Sequence, residues 1–427
     1  MSRDNNKPAV RFQGFSDAWE QRKLGDSFEF LQNNTLSRAE LSTEAGAALN
    51  VHYGDVLIKF GEYLDASSEQ MAYIPDQSIV DKFKGSLLSD GDVIMADTAE
   101  DETVGKCSEI AGLQGKAAIS GLHTIPLRPV CEFAPGFLGY YMNSGAYHDQ
   151  LLPLMQGIKV TSVSKNAIRN TDICYPSDTA EQALIGQYFI RLDHLITLHQ
   201  RKYDKLVTVK KSMLEKMFPR EGSDVPEIRF EGFPDAWEQR KLSSIVDRVT
   251  RKNTNLESTL PLTISAQYGL VDQVTYFNNR VASQNISNYY LVKNGEFAYN
   301  KSSSDGYPFG AVKRLDLYEM GVLSTLYIVF ALKDQNVNSD FLACYYDTDN
   351  WHKQVSERAA EGARNHGLLN ISAEDFLDTD LMIPPDIHEQ ALIGEYLKKL
   401  GNLITLHQRE LEKLKKIKKS MLDRMFV

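Results

Sequence analysis

Apolar residues recur at alternating steps of three and four along two long stretches of this chain, a spacing that predicts amphipathic helices with the seam of a coiled coil. One stretch runs from Glu181 to Pro219 and the other from Glu389 to Val427. They are near-copies, with the sequences EQALIGQYFIRLDHLITLHQRKYDKLVTVKKSMLEKMFP and EQALIGEYLKKLGNLITLHQRELEKLKKIKKSMLDRMFV. At ~1.5 Å per residue, each predicts a helix on the order of 55 Å long. The predicted seam, which we expect to form a helix-pair interface, comprises Ile185, Tyr188, Leu192, Leu195, His199, Leu206, Val209 and Met213 with Ile393, Tyr396, Leu400, Leu403, His407, Leu414, Ile417 and Met421.

Both helices are predicted to begin at the same capping signal. Asp178 and Glu181 stand three residues apart just after a proline, and Asp386 and Glu389 repeat that arrangement. We expect each aspartate to cap backbone N–H groups of the first turn and each glutamate to reach back, as in a capping box.

Two like seams in one chain most simply bury each other. Antiparallel pairing would place two globular bodies at opposite ends of a shared rod, related by a pseudo-two-fold axis, and the rod would act as a molecular ruler. The alternative that the pattern leaves open is that each helix packs on its own body as ordinary core.

A second repeat opens each half of the chain. RFQGFSDAWEQRKL begins at Arg11 and RFEGFPDAWEQRKL begins at Arg229, and the aromatic and leucine positions in both are expected to anchor the chain entry to the body that follows. The unit of duplication is therefore a half-protein with a fixed beginning, a fixed closing helix and a variable middle. The predicted boundaries are a first body at 1–176, a first helix at 177–219, a linker at 220–228, a second body at 229–384 and a second helix at 385–427.

Short β-leaning runs broken by turns fill the first body. YGDVLIKF from Tyr53 to Phe60, GDVIMAD from Gly91 to Asp97 and the later TIPLRPV are apolar runs of strand length, whereas the segment from Phe137 to Met155 has a helical pattern. The second body repeats this order with different residues. The mixture predicts an α+β fold for each body.

Composition and charge limit the classes of function. The chain has 427 residues and a net charge of −10, which argues against a protein that coats nucleic acid non-specifically, although lysines cluster near the ends of both long helices. MSRDNNKPAV at the N-terminus has no apolar signal core and no apolar run is long enough for a membrane span, so we expect a cytoplasmic protein without membrane contact. The four cysteines are far apart, without metal-ligand spacing, and predict neither a disulfide nor a metal site.

With these repeats, the chain resembles the specificity subunit of type I restriction-modification systems. The resemblance covers essentially all 427 residues and rests on AWEQRKL at Ala18 and Ala236, each followed by a body that closes with EQALIG, LITLHQR, KKSML and MF on a long helix. It implies two globular α/β target-recognition domains in tandem, separated and joined by an antiparallel coiled coil. Each domain would read one half of a bipartite double-stranded DNA site. The paired helices would set the spacing and dock two modification (methyltransferase) subunits, with restriction (translocase-nuclease) subunits joining the full complex.

The same resemblance implies a subunit without catalysis or cofactor, and the motifs agree. The only Pro-Pro, in Ile383-Pro-Pro-Asp386, lacks both ends of an amino-methyltransferase tetrad. The Gly-Lys in Leu113-Gln-Gly-Lys-Ala117 lacks the first glycine and the hydroxyl of a nucleotide-binding loop, and His388-Glu-Gln-Ala-Leu392 lacks the second histidine of a zinc motif. We therefore predict no catalytic, cofactor-binding or metal-binding residues.

His199 and His407 occupy equivalent seam positions and could meet near the pseudo-axis. We interpret them as polar residues that set helix register, as a buried asparagine does in a coiled coil. A shared metal ion and a pH-sensitive contact remain open as alternatives.

Reading DNA requires amide, guanidinium and hydroxyl groups on loops that reach base edges, with Lys and Arg nearby for phosphates. Two loops of the first body and three of the second are richest in these groups. The predicted DNA-binding residues are Lys59, Tyr63, Lys159, Thr161, Ser162, Lys165, Gln267, Tyr268, Lys301, Ser302, Ser303, Arg358, Arg364, Asn365 and His366.

Two other classes of function stay open on the sequence alone. A coiled-coil scaffold whose globular ends bind proteins fits the acidic charge, and it would give no sequence-dependent DNA shift with the modification subunit present. An enzyme acting alone would show methyl transfer or DNA cleavage without partners.

Overall fold

In the computed structural model the chain forms two compact units. The first comprises residues 1–200 with 409–427, and the second comprises residues 201–408. The structure describes residues 6–265, 268–279, 281–304, 306–359 and 369–427. Each unit therefore combines one globular body with parts of both long helices.

The first body is α+β, as the sequence predicts. Its strands are β1 (Glu20–Lys23), β2 (Phe28–Phe30), β3 (Ala48–Val51), β4 (Tyr63–Asp65), β5 (Ala72–Ile74), β6 (Val93–Ala96), β7 (Thr98–Ala99), β8 (Cys107–Ala111), β9 (Ala118–Ser120), β10 (Thr124–Pro129), β11 (Thr161–Ser162) and β12 (Asp172–Tyr175). Its helices are α1 (Leu24–Ser27), α2 (Tyr53–Ile58), α3 (Gln77–Lys82), α4 (Phe137–Met142), α5 (Gly145–His148) and α6 (Lys165–Ile168), followed by the first long helix, α7 (Thr179–Lys216).

The second body has the same kind of elements. Its strands are β13 (Glu238–Lys241), β14 (Val246–Arg248), β15 (Leu262–Ser265), β16 (Gly269–Asp272), β17 (Tyr290–Lys293), β18 (Phe297–Asn300), β19 (Ala311–Arg314), β20 (Met320–Leu323), β21 (Ile328–Leu332) and β22 (Asp380–Ile383). Its helices are α8 (Leu242–Ile245), α9 (Gln273–Phe277), α10 (Ser339–Tyr345), α11 (His352–Arg358) and α12 (Ala373–Leu377), followed by the second long helix, α13 (Ile387–Met425).

A central sheet organises each body. In the first unit five strands lie in the order β2-β10-β6-β8-β4, beside a three-stranded sheet β5-β3-β9. In the second unit four strands lie in the order β14-β21-β18-β19, beside the hairpin β15-β16 and the pair β17-β20. In each unit one inner strand of the central sheet, β6 or β18, comes directly after a turn made of glycine and an acidic residue. These two strands therefore occupy equivalent places.

In each body the AWEQRKL signature forms a strand that pairs with the strand directly before the long helix. Strand β1 pairs antiparallel with β12, with Glu20 opposite Tyr175, and β13 pairs in the same way with β22, with Glu238 opposite Ile383. Since β12 and β22 run directly into the long helices, each repeated opening segment is hydrogen-bonded to the start of its repeated closing segment. The signature therefore has a structural role in the fold.

Each long helix starts with an aspartate cap, as predicted. Asp178 accepts a hydrogen bond from the Ala180 N–H at 2.8 Å, and Asp386 accepts one from the His388 N–H at 2.8 Å. The expectation that the glutamates complete a capping box is wrong.

Both glutamates are instead buried against an arginine of the opening signature. Glu181 accepts two hydrogen bonds from Arg11, at 2.5 and 2.7 Å, and Glu389 accepts two from Arg229, at 2.6 and 2.8 Å. The guanidinium fork satisfies both carboxylate oxygens at once, which a backbone N–H cannot do.

The antiparallel pairing of the two long helices is confirmed within each unit. In the first unit the end of α13 runs against the start of α7: Lys418 Nζ lies 2.7 Å from Asp193 Oδ1, and the Phe426 ring stacks on the Phe189 ring with centroids 5.7 Å apart. In the second unit the end of α7 contributes Leu206, Val209 and Met213 to a core that includes Ile393, Leu397 and Leu400 of α13.

At one equivalent position in each helix, burial is shifted by one residue from the expected spacing. Leu195 and Leu403, which belong to the predicted seam, are 41% and 43% exposed, whereas the next residues, Ile196 and Ile404, are half-buried. Leu397 and Leu411 are buried at the same heptad position as Ile404. The remaining predicted seam positions are buried or half-buried in the structure.

The expectation of a strand from Tyr53 to Phe60 is wrong, because Tyr53–Ile58 forms α2. The His52 side chain accepts a hydrogen bond from the Gly54 N–H at 3.2 Å and caps the helix, and Val56 is buried in the core. A six-residue helix and a short strand bury the same apolar run, so this pattern alone does not separate them. Within the described part of the chain, none of the helices is both long and apolar enough to cross a membrane.

Candidate nucleic-acid interface

Two polar segments that are distant in sequence lie side by side in the first body. The loop after β6 carries β7, which pairs antiparallel with β11 in the segment before α6, so that Thr98 faces Ser162 and Ala99 faces Thr161. The Val163 N–H donates to the Asp97 carbonyl at 2.9 Å and extends this pairing. A hairpin from Gln156 to Ser162 is thereby held against the loop from 97 to 106.

The second body joins the equivalent two segments. Lys301 follows β18 as Asp97 follows β6, and its carbonyl accepts a hydrogen bond from the Leu369 N–H at 2.9 Å, just before α12. The DNA-binding residues predicted for this body include two separate stretches of sequence, one from 300 to 304 and one from 358 to 367. In the structure the first stretch lies beside the segment that leads into α12.

The four candidates near the first-body hairpin differ in accessibility. Lys159 and Ser162 are exposed on the hairpin. Thr161 is half-buried and donates from Oγ1 to the carbonyls of Ala99 and Asp101, at 3.2 and 3.1 Å. Lys165 is half-buried and donates from Nζ to the Leu31 carbonyl at 3.3 Å. Thr161 therefore holds the hairpin to the loop after β6, and Lys165 holds the start of α6 to the backbone at Leu31.

Lys59 and Tyr63 lie near one another in sequence but in different surroundings. Lys59 is exposed at the end of α2, where its ammonium donates to the Gln70 carbonyl and lies 5.5 Å from the centre of the Phe60 ring. Tyr63 is half-buried at the start of β4, and burial raises the pKa of its hydroxyl. Only Lys59 presents its side chain to solvent here.

In the second body, Tyr268 and Ser303 are exposed, and Ser302 is half-buried with its N–H donating to Asn300 Oδ1 at 3.0 Å. Lys301 donates to the Ile371 carbonyl at 3.2 Å, and Arg358 donates to the Asp378 carbonyl at 3.0 Å. Both cations are thus engaged within the fold. Gln267, Arg364, Asn365 and His366 lie outside the described residues.

A polar strip that the sequence did not suggest continues from the first-body hairpin. Ser162 faces Thr98 across the β7–β11 pair, Thr98 Oγ1 lies 3.4 Å from His123 Nδ1, and the His123 ring packs edge-on against Tyr53 at 5.3 Å. His123 has φ of 54°, a left-handed conformation that histidine adopts more often than most residues. Four chain segments meet in this strip, so no local pattern could have identified it.

Charge differs sharply between the equivalent loops. The first-body loop carries exposed Glu100, Asp101 and Glu102, whereas the second-body loop begins Lys-Ser-Ser-Ser from Lys301. Carboxylates repel phosphates but accept hydrogen bonds from cytosine amino groups, and hydroxyl groups bond to either kind of partner. The two bodies therefore offer different chemistry at the same place.

No three His, Cys, Asp or Glu side chains in the described ranges are grouped so as to hold a metal ion. All four cysteines are free thiols, and Cys107, Cys174 and Cys344 are buried. Burial raises the pKa of Cys174 to about 11, so this thiol is unreactive at neutral pH.

Comparison with known proteins identifies the second half of the chain first. Residues 234–416 match the family model for the type I restriction modification DNA specificity domain. The chain is 23% identical over 289 residues, or 63% of its length, to the type I restriction enzyme MjaVIII specificity subunit of Methanocaldococcus jannaschii. It spans 64% of the length of that curated relative.

A solved structure shares the fold over the whole chain. The crystal structure of the type I restriction-modification system S subunit from M. genitalium aligns with a TM-score of 0.63 at 12% identity, covering 99% of each chain. This likeness supports the predicted fold class of two sheet-containing bodies with paired long helices. The matched specificity domain, and the same opening and closing motifs repeated in the first half, make this chain similar to type I restriction-modification specificity subunits.

Proposed function

We propose that this chain is the DNA-specificity subunit of a type I restriction-modification complex. Residues 1–176 and 229–384 are its two target-recognition domains, and each reads one half of a bipartite double-stranded DNA site. The long helices, at 177–219 and 385–427 with the linker 220–228 between the halves, set the reach between the domains and dock two modification subunits. Restriction subunits join the full complex.

One observation carries this proposal. Both bodies bring the loop after the central strand together with the segment before the last short helix, and the two bodies place different side chains there. Recognition of two unlike half-sites needs this combination of a shared scaffold and divergent loops. The exposed candidates Lys59, Lys159, Ser162, Tyr268 and Ser303 are the first residues that we propose to contact DNA.

The proposal assigns catalysis to the partner subunits. Methyl transfer and DNA cleavage belong to the modification and restriction subunits, so this chain needs no cofactor of its own. It works in the cytoplasm, where the DNA is. With a net charge of −10 we expect it to bind DNA weakly until the modification subunits contribute positive surface.

Methylome sequencing of a host that carries the modification subunit tests the proposal. We expect one bipartite motif, and we expect replacement of residues 25–175 by another such body to change one half-site only. The matched exchange of residues 242–383 should change the other half-site only. A complex that binds partner proteins but shows no sequence-dependent DNA shift would instead indicate a protein-binding scaffold.

The spacing role has its own test. Four residues inserted in the helix between Asp193 and Leu206 add up to ~6 Å of rise, the length of a base pair or two. We expect both half-sites to stay the same while the gap between them lengthens. Four residues inserted in the exposed linker near Gly222 are the control and should leave the gap unchanged. An unchanged gap in an active helix-insertion variant would refute the spacing role.

A further inference from the structure

The hairpin from Gln156 to Ser162 in the first body has a rigid base. Its end residues exchange two backbone hydrogen bonds, at 3.0 and 2.9 Å. Gly157 has φ of 118°, and a Cβ atom at this position would lie 2.0 Å from the Val160 carbonyl oxygen. A side chain at this position would clash, so the turn requires glycine, and the two backbone hydrogen bonds close the base of the hairpin.

The tip of this hairpin is apolar and exposed. Ile158 is fully exposed and Val160 is 53% exposed, with Lys159 between them. Isolated apolar residues are common on protein surfaces. This one, however, stands at the end of a fixed hairpin in a body that reads DNA under the proposed function. A pre-organised apolar tip loses little conformational entropy when it binds.

The chemistry around the tip favours base edges over the DNA backbone. The neighbouring loop carries Glu100, Asp101 and Glu102, all exposed, and these carboxylates disfavour phosphates. The major groove admits a two-stranded β-ribbon, and the group that it offers to an apolar side chain is the thymine methyl. Carboxylates on the loop that pairs with the base of the hairpin match the cytosine amino group in the same groove.

We propose that Ile158 is a specificity-determining residue that packs against a thymine methyl group in the major groove of the first half-site. This inference rests on the proposed function and adds one contact to it. Lys159 and Ser162 then lie beside the base pair that Ile158 reads.

Deoxyuridine substitution tests the contact, because it removes only the methyl group. The experiment uses the chain in complex with its modification subunits and duplexes carrying the methylome-defined motif. Each thymine of the first half-site, identified by exchange of residues 25–175, is replaced in turn. In the wild type we expect one replacement to weaken binding about fourfold, the effect of burying about one methyl group.

The variant Ile158→Ser should bind the native duplex more weakly and should no longer respond to that deoxyuridine. Val130→Ser, which alters another exposed apolar residue of the same unit, is the control and should keep the wild-type response. Equal responses of wild type and Ile158→Ser, or a first half-site without any A·T pair, would overturn the contact. A wild-type complex without sequence preference would overturn the proposed function as well.

Discussion

The two units repeat each other where the body meets the long helices and differ where the body faces outward. Arg11 with Glu181 has its counterpart in Arg229 with Glu389, at nearly the same distances. By contrast, the loop after the central strand is acidic in one unit and serine-rich in the other. The duplicated residues therefore maintain a common frame, while the surface that we propose to contact DNA is free to diverge.

The frame itself contains instructive differences. Lys418 and Lys210 stand at equivalent positions of the two helices, but Lys418 bridges Glu62 and Asp193, whereas Lys210 contacts Asp347. Asp347 also lies 2.6 Å from Lys313. One ammonium therefore serves two carboxylates in the first unit, and two ammonium groups serve one carboxylate in the second.

The two central sheets also carry side chains of opposite charge at equivalent positions. Glu109 on β8 faces Val93 and accepts hydrogen bonds from the N–H groups of Gly136 and Gly139, at 2.6 and 2.9 Å. On the equivalent strand β19, Arg314 faces Phe297 and contacts Asp340 at 2.5 Å. The same junction between sheet and helix is closed by a carboxylate in one unit and by an ion pair in the other.

Removal of the aromatic residue after each helix should have the largest effect. Phe426 packs on Trp19, Phe137, Tyr141 and Phe189 in the first unit. We expect Phe426→Ala to lower the free energy of unfolding by about 3–5 kcal/mol through the cavity that it leaves. Urea denaturation gives the size, and hydrogen exchange should place the loss in the first unit.

The matched variant is Phe218→Ala, since Phe218 packs on Trp237, Phe341 and Tyr345 in the second unit. Its free energy of unfolding should fall by a similar amount, and the amides that exchange faster should lie in the second unit. Leu198→Ala, on an exposed face of α7, is the control and should cost under about 1 kcal/mol. Identical hydrogen-exchange patterns for the two phenylalanine variants would contradict the view that each phenylalanine stabilises its own unit.

The buried carboxyl group should make the stability of the first unit depend on pH. Burial raises the pKa of Glu109 to about 7, against hydrogen bonds from Gly139 and Gly136 that lower it. A carboxyl group whose pKa is higher when folded than when unfolded adds stability below the unfolded value of about 4.3, and this contribution is lost as pH rises through about 7. The difference in free energy of unfolding between the wild type and Glu109→Gln should change by about 3 kcal/mol across that pH range.

Urea titrations of both proteins between pH 5 and 8, roughly the range over which this group titrates, measure this difference. The second unit supplies the contrast, because Arg314 stays charged throughout. Variation at Arg314 should therefore shift stability by the same amount at each pH. A wild-type curve parallel to that of Glu109→Gln would show that the carboxyl group titrates normally.

The lysine variants should give unequal losses. Lys418→Met keeps the aliphatic stem but leaves the carboxylates of Glu62 and Asp193 without their shared cation, and we expect a loss of about 2 kcal/mol. Lys210→Met leaves Asp347 with Lys313 and should lose about 1 kcal/mol. Thermal unfolding of both variants measures the difference, and Asp193→Asn should recover part of the loss in Lys418→Met.

The smallest effect tests the position of the helix seam. Leu195→Ala should change stability by less than about 1 kcal/mol because the side chain is 41% exposed. Ile196→Ala removes a half-buried side chain and should lose more, about 1–2 kcal/mol. The same assay on Leu403→Ala and Ile404→Ala should give the same order, and the reverse order in either pair would restore the spacing expected from the sequence.

Local patterns were enough to determine much of this protein. The repeated period of three and four residues predicted both long helices, and Asp178 and Asp386 marked their starts, because periodicity and capping depend on residues within one turn. The duplicated AWEQRKL and KKSML motifs indicated the resemblance to type I restriction-modification specificity subunits, since they can be found in the chain without any knowledge of its folding.

Tertiary structure decided what depends on residues distant in the chain. Arg11, which is 170 positions away in the chain, donates hydrogen bonds to Glu181, and for this reason the glutamate does not cap its helix. The folded chain leaves Leu195 exposed and Ile196 half-buried, a difference of one residue that a heptad pattern does not resolve. The strip from Ser162 through Thr98 and His123 to Tyr53 exists only because four segments fold together, so its chemistry is absent from every local stretch of sequence.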